Sequence, residues 1–427
     1  MAGKTKNIAV YADWDSLGGP LKLGTLHAHA GAGRELFEFE YEAAALAHHQ
    51  VLDLRLDPGV GLYAGRQFPD KQSANFGVFL DSCPDRWGRL LMRRRLERAQ
   101  RAGLASKHQR LTESDYLLGV HDLYRAGALR FRLNDVGSFL DDGADSAAPP
   151  FVRLRELEQA SLALERDEGN DSPRVDEWLR LLIAPGGSLG GARPKASVVD
   201  TNGRLWIAKF PSLRDEFDVG AWEIIVHTLA RACGIRVANA RAQKFGSAFH
   251  TYLTERFDRT AAGARLHFAS AMTLTGRTDG DDASTGASYL ELARILIDHG
   301  AQTNIDLQEL WTRIVFNMCV SNTDDHLRNH GFILAPNRGW VLSDAFDMNP
   351  VPSGGGLKLN VSEDDNAQDL GLVLSIAPTF RVSNANAHGL VDKVKKIVSQ
   401  WSVLASNLKL SAQQQEQMAP AFALAED

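Results

Sequence analysis

One stretch narrows the folds open to this chain more than any other: residues 305–347, where a helix pattern runs into a polar cluster and then into two strands. Leu307, Leu310, Trp311, Ile314, Val315 and Met318 fall on one stripe, which predicts a helix anchored in a core. The stripe ends at SNTDDHLRNH, which crowds Asn322, Asp324, Asp325, His326, Arg328 and Asn329 together. GFIL and WVLSDAF then flank the turn APNRG and predict an antiparallel hairpin. A hairpin brings its open ends together. Asn329 precedes the first strand and Asp347 follows the second, so both should meet beside Asp324 and Asp325. Carboxylates and an amide on rigid elements make an oxygen-rich site suited to Mg²⁺. An Asp followed five positions on by Asn, then a hairpin, then a further Asp is also the spacing logic of a kinase catalytic loop. The plainer alternative is a loop of helix caps and Asx turns, which the same residue types favour. His326 is expected to serve such a loop by hydrogen bonding rather than by chemistry.

A second constraint lies upstream in RLWIAKF. Leu205 and Ile207 share a face with Lys209, while Trp206, Ala208 and Phe210 take the other, so both faces are apolar. That pattern predicts a central strand with one cation in its interior, and a buried ammonium is costly unless paired. The helix that follows, DVGAWEIIVHTLARACG, offers Glu223, and nucleotide phosphates would be another partner. A strand Lys with a helix Glu is the arrangement by which protein kinases hold phosphates. Ahead of both stands the Gly-rich GGSLGGARPK, whose backbone can turn sharply and present N–H groups to an anion. Arg193 and Lys195 could add positive charge there, and Ser188 sits where a kinase could modify itself. The Gly-rich run matches neither Walker A nor GxGxxG.

The rest of the chain supplies the frame. IAVYADW, KLGTLHAH and ELFEFEYE predict short strands near the start. Asp85–Gln100 and Glu113–Val120 read as helices, as do 155–166 and 176–183; NDVGSFLDDGADSAAPP reads as a linker. Thr273–Ser288 is expected to be a mobile loop. The expected domains are 1–135, β-rich with a basic helix; 136–150, a linker; 151–260, a small mixed lobe; and 261–427, a mainly helical lobe. The chain has 427 residues and a net charge of −6, which argues against holding nucleic acid by bulk electrostatics. Against that trend, Arg86, Arg89, Arg93, Arg94, Arg95, Arg98, Arg101, Lys107 and Arg110 cluster in one stretch. They form either a solvated face or a surface for nucleic acid or an acidic partner. No apolar run approaches the roughly 18 residues of a membrane span, and the start has no signal-peptide core. Cys83, Cys233 and Cys319 lie far apart without CxxC spacing. They read as reduced core residues, and a cytoplasmic location is expected.

Taken in order, FGVFLDSCPDRWGRLLMRRR, LLGVHDLYRAGALRF, SLGGARPK, IAKFP, YLTERFDR, NTDDHLRNHGF and AFDMNP resemble the HipA family, kinase toxins of bacterial toxin–antitoxin modules. The resemblance spans most of the chain. It implies an α+β fold: a protein-kinase-like bilobal core, small mixed lobe and large helical lobe, preceded by a β-rich domain. It implies transfer of the ATP γ-phosphoryl group to a Ser of a protein, aminoacyl-tRNA synthetases being known targets in the family. Carried over by motif, Asp324 would be the catalytic Asp, and Asn329 and Asp347 would be Mg²⁺ ligands. Lys209 and Glu223, with Ser188, Gly190, Gly191 and Arg328, would serve ATP, and Ser188 would also be the autophosphorylation site. Tyr252, Leu253, Thr254 and Glu255 would form the hinge facing adenine, largely through backbone groups. The family also implies a small helix-turn-helix antitoxin as partner, DNA reached only through it, no membrane, and oligomers within such a complex.

Some features depart from the family. Its loop commonly has a small residue after Thr-Asp, whereas Asp325 doubles the acid here and leaves open which Asp is the base; the step to Asn329 favours Asp324. The metal Asp stands in AFD, with Asp344, expected in the hairpin strand, as a nearby competitor. A small-molecule phosphotransferase of kinase-like fold and a non-catalytic co-repressor acting with a DNA-binding antitoxin stay open as alternatives.

Overall fold

Nine residues after the start, Val10 already lies at zero exposure in the middle strand of a sheet that forms the N-terminal core. The structure, a computed structural model, describes residues 5–31, 33–51, 54–135, 137–140, 149–166, 175, 178–179, 182, 191 and 193–426. The chain forms two compact units: Met1–Arg214 with Phe245–Ser247 and Asp258–Ala269, and Asp215–Lys244 with Ala248–Phe257 and Ser270–Asp427.

In the first unit β1 (Lys6–Ala12), β2 (Leu21–Ala30), β3 (Glu35–Tyr41) and β4 (Leu129–Leu133) form an antiparallel sheet in the order β3-β2-β1-β4. Ile8 stands opposite Leu26, and Val10 opposite Phe131. Burial alternates along β3 and β4, whereas Ile8, Ala9 and Val10 of the inner strand β1 are all buried; the sheet packs against a cluster of rings, with Phe79 5.4 Å from Phe39 and 6.1 Å from Phe131. The predicted basic helix is Arg86–Arg101, capped by Asp85, whose carboxylate accepts from the Gly88 N–H at 2.8 Å. Trp87 and Leu91 are its buried anchors, while Arg86, Arg93, Arg95 and Arg101 are exposed. Arg89 spends its charge on a two-pronged pair with Glu113 at 2.7 Å. The LLGVHDLYRAGALRF segment is structural. Arg125 is buried and donates to the carbonyls of Ser82, Leu117 and Val120 at 2.8, 2.8 and 2.9 Å, and its guanidinium lies over the Phe131 ring. Further on, β5 (Lys195–Val199) and β6 (Leu205–Lys209) form an antiparallel hairpin with Lys195 opposite Lys209. Within the expected linker, residue 136 and residues 141–148 lie outside the described residues, as do Asp176 and Ile183 of the helix expected at 176–183.

The second unit is mostly helical. Val219–Cys233 runs from an Asp218 cap to Gly234, whose φ of 92° is the left-handed stop a glycine tolerates. β7 (Ala240–Gln243) and β8 (Thr251–Glu255) pair antiparallel after it. The short strand β9 (Phe268–Ser270) begins in the first unit and ends in the second, ahead of a run of helices. Thr303–Cys319 carries the predicted stripe, with Leu307, Leu310, Trp311, Ile314, Val315 and Met318 all at zero exposure. β10 (Gly331–Ala335) and β11 (Gly339–Leu342) form the predicted hairpin. The segment 273–288 holds more structure than its composition suggested. Ala271–Thr275 is a short helix capped by Ser270, and Ala283–Thr285 is a tight turn of helix boxed by Asp282. Arg277 ties the segment down through the carbonyls of Thr285 and Gly286 and the carboxylate of Glu291. Its Asp, Ser and Thr residues read as loop formers because the same side chains that favour turns also cap helices. The fold class is the expected one, α+β with a β-rich N-terminal sheet.

Candidate functional site

The polar loop begins where the Thr303–Cys319 helix stops. Ser321 follows with φ 47°, a left-handed residue that turns the chain away from the helix axis. From there the loop is stitched by its own backbone: His326 N–H donates to the Asp324 carbonyl at 2.9 Å, and Asn329 N–H to the His326 carbonyl at 2.8 Å.

The two adjacent acids are placed differently. Asp325 is 2% exposed, and its Oδ2 accepts from Tyr289 Oη at 2.6 Å and Asn317 Nδ2 at 2.6 Å, with His330 Nε2 2.7 Å away. Asp324 is exposed, and no described residue hydrogen-bonds its carboxylate. A general base needs a carboxylate that an incoming hydroxyl can reach, and of these two acids Asp324 is the accessible one. Asn329 is buried; its Nδ2 donates to the Asp324 carbonyl at 3.1 Å, which fixes the amide, and its Oδ1 has no hydrogen-bond partner. A buried acceptor left bare is rare in a folded chain and calls for an explanation. A hard cation that takes oxygen ligands supplies one. Among the described residues no group of three or more His, Cys, Asp or Glu side chains is set to hold a metal ion. Oxygen atoms on offer for a cation here include this amide, the likewise unpartnered Oδ1 of Asn349 and individual carboxylates.

The hairpin returns the chain to the loop. Ser343 N–H bonds the Gly331 carbonyl at 2.9 Å, extending the ladder past Leu342, so Asp344 lies beyond the strand rather than in it. After Asp347, Asn349 N–H donates to Asn322 Oδ1 at 3.2 Å and Val351 N–H to the Ser321 carbonyl at 3.0 Å. Asp347 itself holds φ 58°, a conformation Asp tolerates better than most side chains. Burial pushes the Asp344 carboxyl up from its ordinary value, with Arg313 and Arg236 pulling it part of the way back.

The other sequence-predicted residues distribute as follows. Glu223 is 3% exposed in the Val219–Cys233 helix, and Tyr252 and Leu253 are buried in β8, with Thr254 and Glu255 half-buried beyond them. Burial first, and then the negative charges of Glu223 and Asp347, push the Tyr252 phenol well above its ordinary value. Glu255 is bound on its side chain by Asn239 Nδ2 at 2.7 Å. Arg328 pairs with Asp279 at 3.4 Å, a contact the spacing gave no sign of. The ring Nδ1 of His326 is buried without a hydrogen-bond partner, so its backbone, not its imidazole, makes the supporting bonds in the loop. Lys209 belongs to the first unit and is 7% exposed at the end of β6. Gly191 has φ 91°, and Ser188 and Gly190 lie outside the described residues. Lys195 is not offered to a phosphate: it is 3% exposed, paired with Asp85 at 2.8 Å, and donates to the Gly191 carbonyl at 3.2 Å. Of the residues the sequence left unnamed, Tyr289 carried no local signal. Asn317, a polar residue in an otherwise apolar helix end, did carry one.

The HipA-like C-terminal domain family matches residues 187–401, half of the chain, including the hairpin, the loop and β8. The chain belongs to the HipA family. A putative kinase of Sinorhizobium fredii (strain NBRC 101917 / NGR234), Y4dM, is 27% identical over 216 residues, in an alignment that covers 44% of this chain and 51% of that protein. The chain therefore spans about half the length of that relative. The HipA chain of Shewanella oneidensis MR-1, solved in a complex with HipB and operator DNA, aligns with a TM-score of 0.66. The alignment covers 98% of this chain and 96% of that one at 16% identity, so the HipA fold extends to the N-terminal sheet beyond the family match.

Proposed function

We propose that this HipA-family chain is an ATP- and Mg²⁺-dependent protein serine/threonine kinase, the toxin of a toxin–antitoxin pair. The observation that carries the reading is the division of labour in the loop: an exposed Asp324, and five positions on a buried Asn329 with one bare amide oxygen. Phosphoryl transfer asks a protein mainly for positioning and charge neutralisation. In this reading Asp324 accepts the proton of the attacking Ser hydroxyl, and Asn329 Oδ1 and Asp347 would hold Mg²⁺. When bound, Mg²⁺ supplies neutralisation of phosphate charge. Lys209 and Glu223 would serve the phosphates, with Gly191 and, outside the described residues, Gly190 and Ser188 contributing the Gly-rich loop. Arg328 would add positive charge, and backbone groups of Tyr252–Glu255 would face adenine. Autophosphorylation is assigned to Ser188. The protein substrate is of the kind the family attacks, an aminoacyl-tRNA synthetase among the candidates. The Sinorhizobium relative, itself a putative kinase, supports kinase chemistry, and the Shewanella complex supports an antitoxin partner with DNA reached through it; a small helix-turn-helix fold for that partner is part of the same proposal. A cytoplasmic site of action belongs to the same proposal. Among the described residues no helix is long and apolar enough to cross a membrane.

The test is incubation with labelled ATP and Mg²⁺, with and without cell extract, followed by mass spectrometry. The expected result is label on Ser188 and on a Ser of one extract protein, with Asp324→Ala abolishing both while nucleotide binding persists. Wild-type labelling by Asp324→Ala would refute the assignment, and release of free phosphate alone would point to a hydrolase.

A further inference from the structure

We infer that a relay of buried polar side chains sets the spacing between the proposed base and the proposed metal segment, with Asp325, Asn317 and Asn322 as its positioning residues. The inference rests on the kinase reading above and deepens it. The relay starts at Asp325, peptide-bonded to Asp324. Asn317 donates through Nδ2 to Asp325 Oδ2 and accepts through Oδ1 from Asn322 Nδ2 at 3.1 Å. Asn322 in turn accepts through Oδ1 from the backbone N–H of Asn349, two residues past Asp347. Each amide is used as donor on one side and acceptor on the other, so the chain has a single polarity and each member orients the next. It joins three separate elements: the loop, the end of the Thr303–Cys319 helix and the strand-exit segment.

Burial makes the relay rigid. Asn317, Asn322 and Asp325 are 2%, 1% and 2% exposed. At that depth a member that swings away leaves an unsatisfied polar group, which is expensive. Two further groups close on the same oxygen of Asp325, Tyr289 Oη and His330 Nε2, and the Tyr289 and His330 rings meet edge to face at 5.7 Å. If packing were the only demand, apolar side chains of similar volume would hold these elements together as well or better. What apolar side chains cannot do is fix two backbone segments in register. The relay does this, and the segments it fixes carry Asp324 at one end and Asp347 at the other. A second pair of bonds runs alongside, Gln368 Nε2 to the Met318 carbonyl at 3.2 Å and to Ser321 Oγ at 3.0 Å, holding the helix end from which the relay hangs.

The experiment measures Mn²⁺ affinity by electron paramagnetic resonance, in the full chain saturated with a non-hydrolysable ATP analogue, alongside kcat and KM for ATP. Outer-shell partners of metal sites typically change affinity or activity by about 10- to 100-fold when removed. Asn322→Ala is expected to loosen Mn²⁺ about tenfold and lower kcat about tenfold, with KM for ATP moving less than about threefold. Asp325→Asn keeps an oxygen able to accept the same donors and should lose less, whereas Asp324→Asn should lose turnover and keep Mn²⁺. Unchanged Mn²⁺ affinity and kcat in Asn322→Ala would overturn the inference, even if its melting temperature fell. So would an Asp325→Asn as inactive as Asp324→Asn, because Asp325 would then act chemically. If Asn322→Ala does not fold, Tyr289→Phe removes one donor of the relay's anchor; a kcat lowered about threefold supports the relay and an unchanged kcat overturns it. A wild-type chain that binds no Mn²⁺–nucleotide would remove the phosphotransfer reading itself, a failure distinct from that of the relay.

Discussion

Gly220, in the first turn of the helix that carries Glu223, has no room for a methyl group. A Cβ built there would sit 2.1 Å from the His250 carbonyl oxygen, 2.9 Å from its carbon and 3.3 Å from the Tyr252 nitrogen. All three atoms are backbone, so no side chain can swing aside. Relief requires the helix start and the entry to β8 to part by about 1 Å. That movement pulls on Asp218, whose two carboxylate oxygens hold the His250 N–H at 2.8 Å and His250 Nδ1 at 2.6 Å. An Ala in a helix is favoured over Gly by up to about 1 kcal/mol. Overpacking costs about 1–3 kcal/mol and a weakened hydrogen bond to a charged group about 1.5–3 kcal/mol. The clash wins, and Gly220→Ala should destabilise by about 2–4 kcal/mol, lowering Tm by roughly 5–15 °C. Gly389 is the control. It is exposed inside the Asn384–Val398 helix with nothing within 4 Å of its virtual Cβ, so Gly389→Ala should gain about 0.5–1 kcal/mol. Urea and thermal unfolding of the pair measure both. If Gly220→Ala is as stable as wild type while Gly389→Ala gains, the close approach of helix and strand is not what the structure indicates.

Two further outcomes are expected. Burial lowers the His267 imidazole from 6.5 to about 4, so between those values the unfolded chain binds a proton that the folded chain refuses. Stability present above pH 6.5 is lost as pH falls through that window, about 1.4 kcal/mol per unit and roughly 3 kcal/mol in all. Urea midpoints across the window should fall in wild type and flatten in His267→Gln; equal slopes would contradict the burial argument. Arg125→Lys should cost about 3 kcal/mol, because a single ammonium cannot reach the carbonyls of Ser82, Leu117 and Val120 together. A change in Tm of under about 2 °C would show that those bonds are replaceable.

Much of the fold was legible because its signals are local. Asp85 and Asp218 announce their helices, Gly234 ends one, and the APNRG turn fixes the register that puts Phe332 opposite Leu342. The loop was legible as a cluster but not as a hierarchy. Asp324 and Asp325 are neighbours of the same type; the step to Asn329 favours Asp324, but the difference in burial, with Tyr289 and His330 closing over Asp325, is written nowhere near them in the sequence. Lys195 shows the opposite limit. Beside a Gly-rich run it looked available to a phosphate, but its counter-ion, Asp85, stands more than a hundred positions earlier. No window of sequence reveals such a pair. Thr273–Ser288 was misleading for a third reason, since capping residues and flexible residues share one alphabet.

That buried pair also bears on how the chain can be divided. Residues 187–401 carry the family match and look like a natural unit to express alone. Yet the strand that opens it begins with a Lys whose charge is answered by Asp85 and whose carbonyl accepts the Trp87 indole N–H at 3.1 Å. Cut free of the N-terminal residues, β5 would present a stranded cation and an unmet carbonyl at its first residue. A shortened protein would therefore report on a strand that had lost its partners. Inactivity in such a fragment would reflect the cut rather than the chemistry.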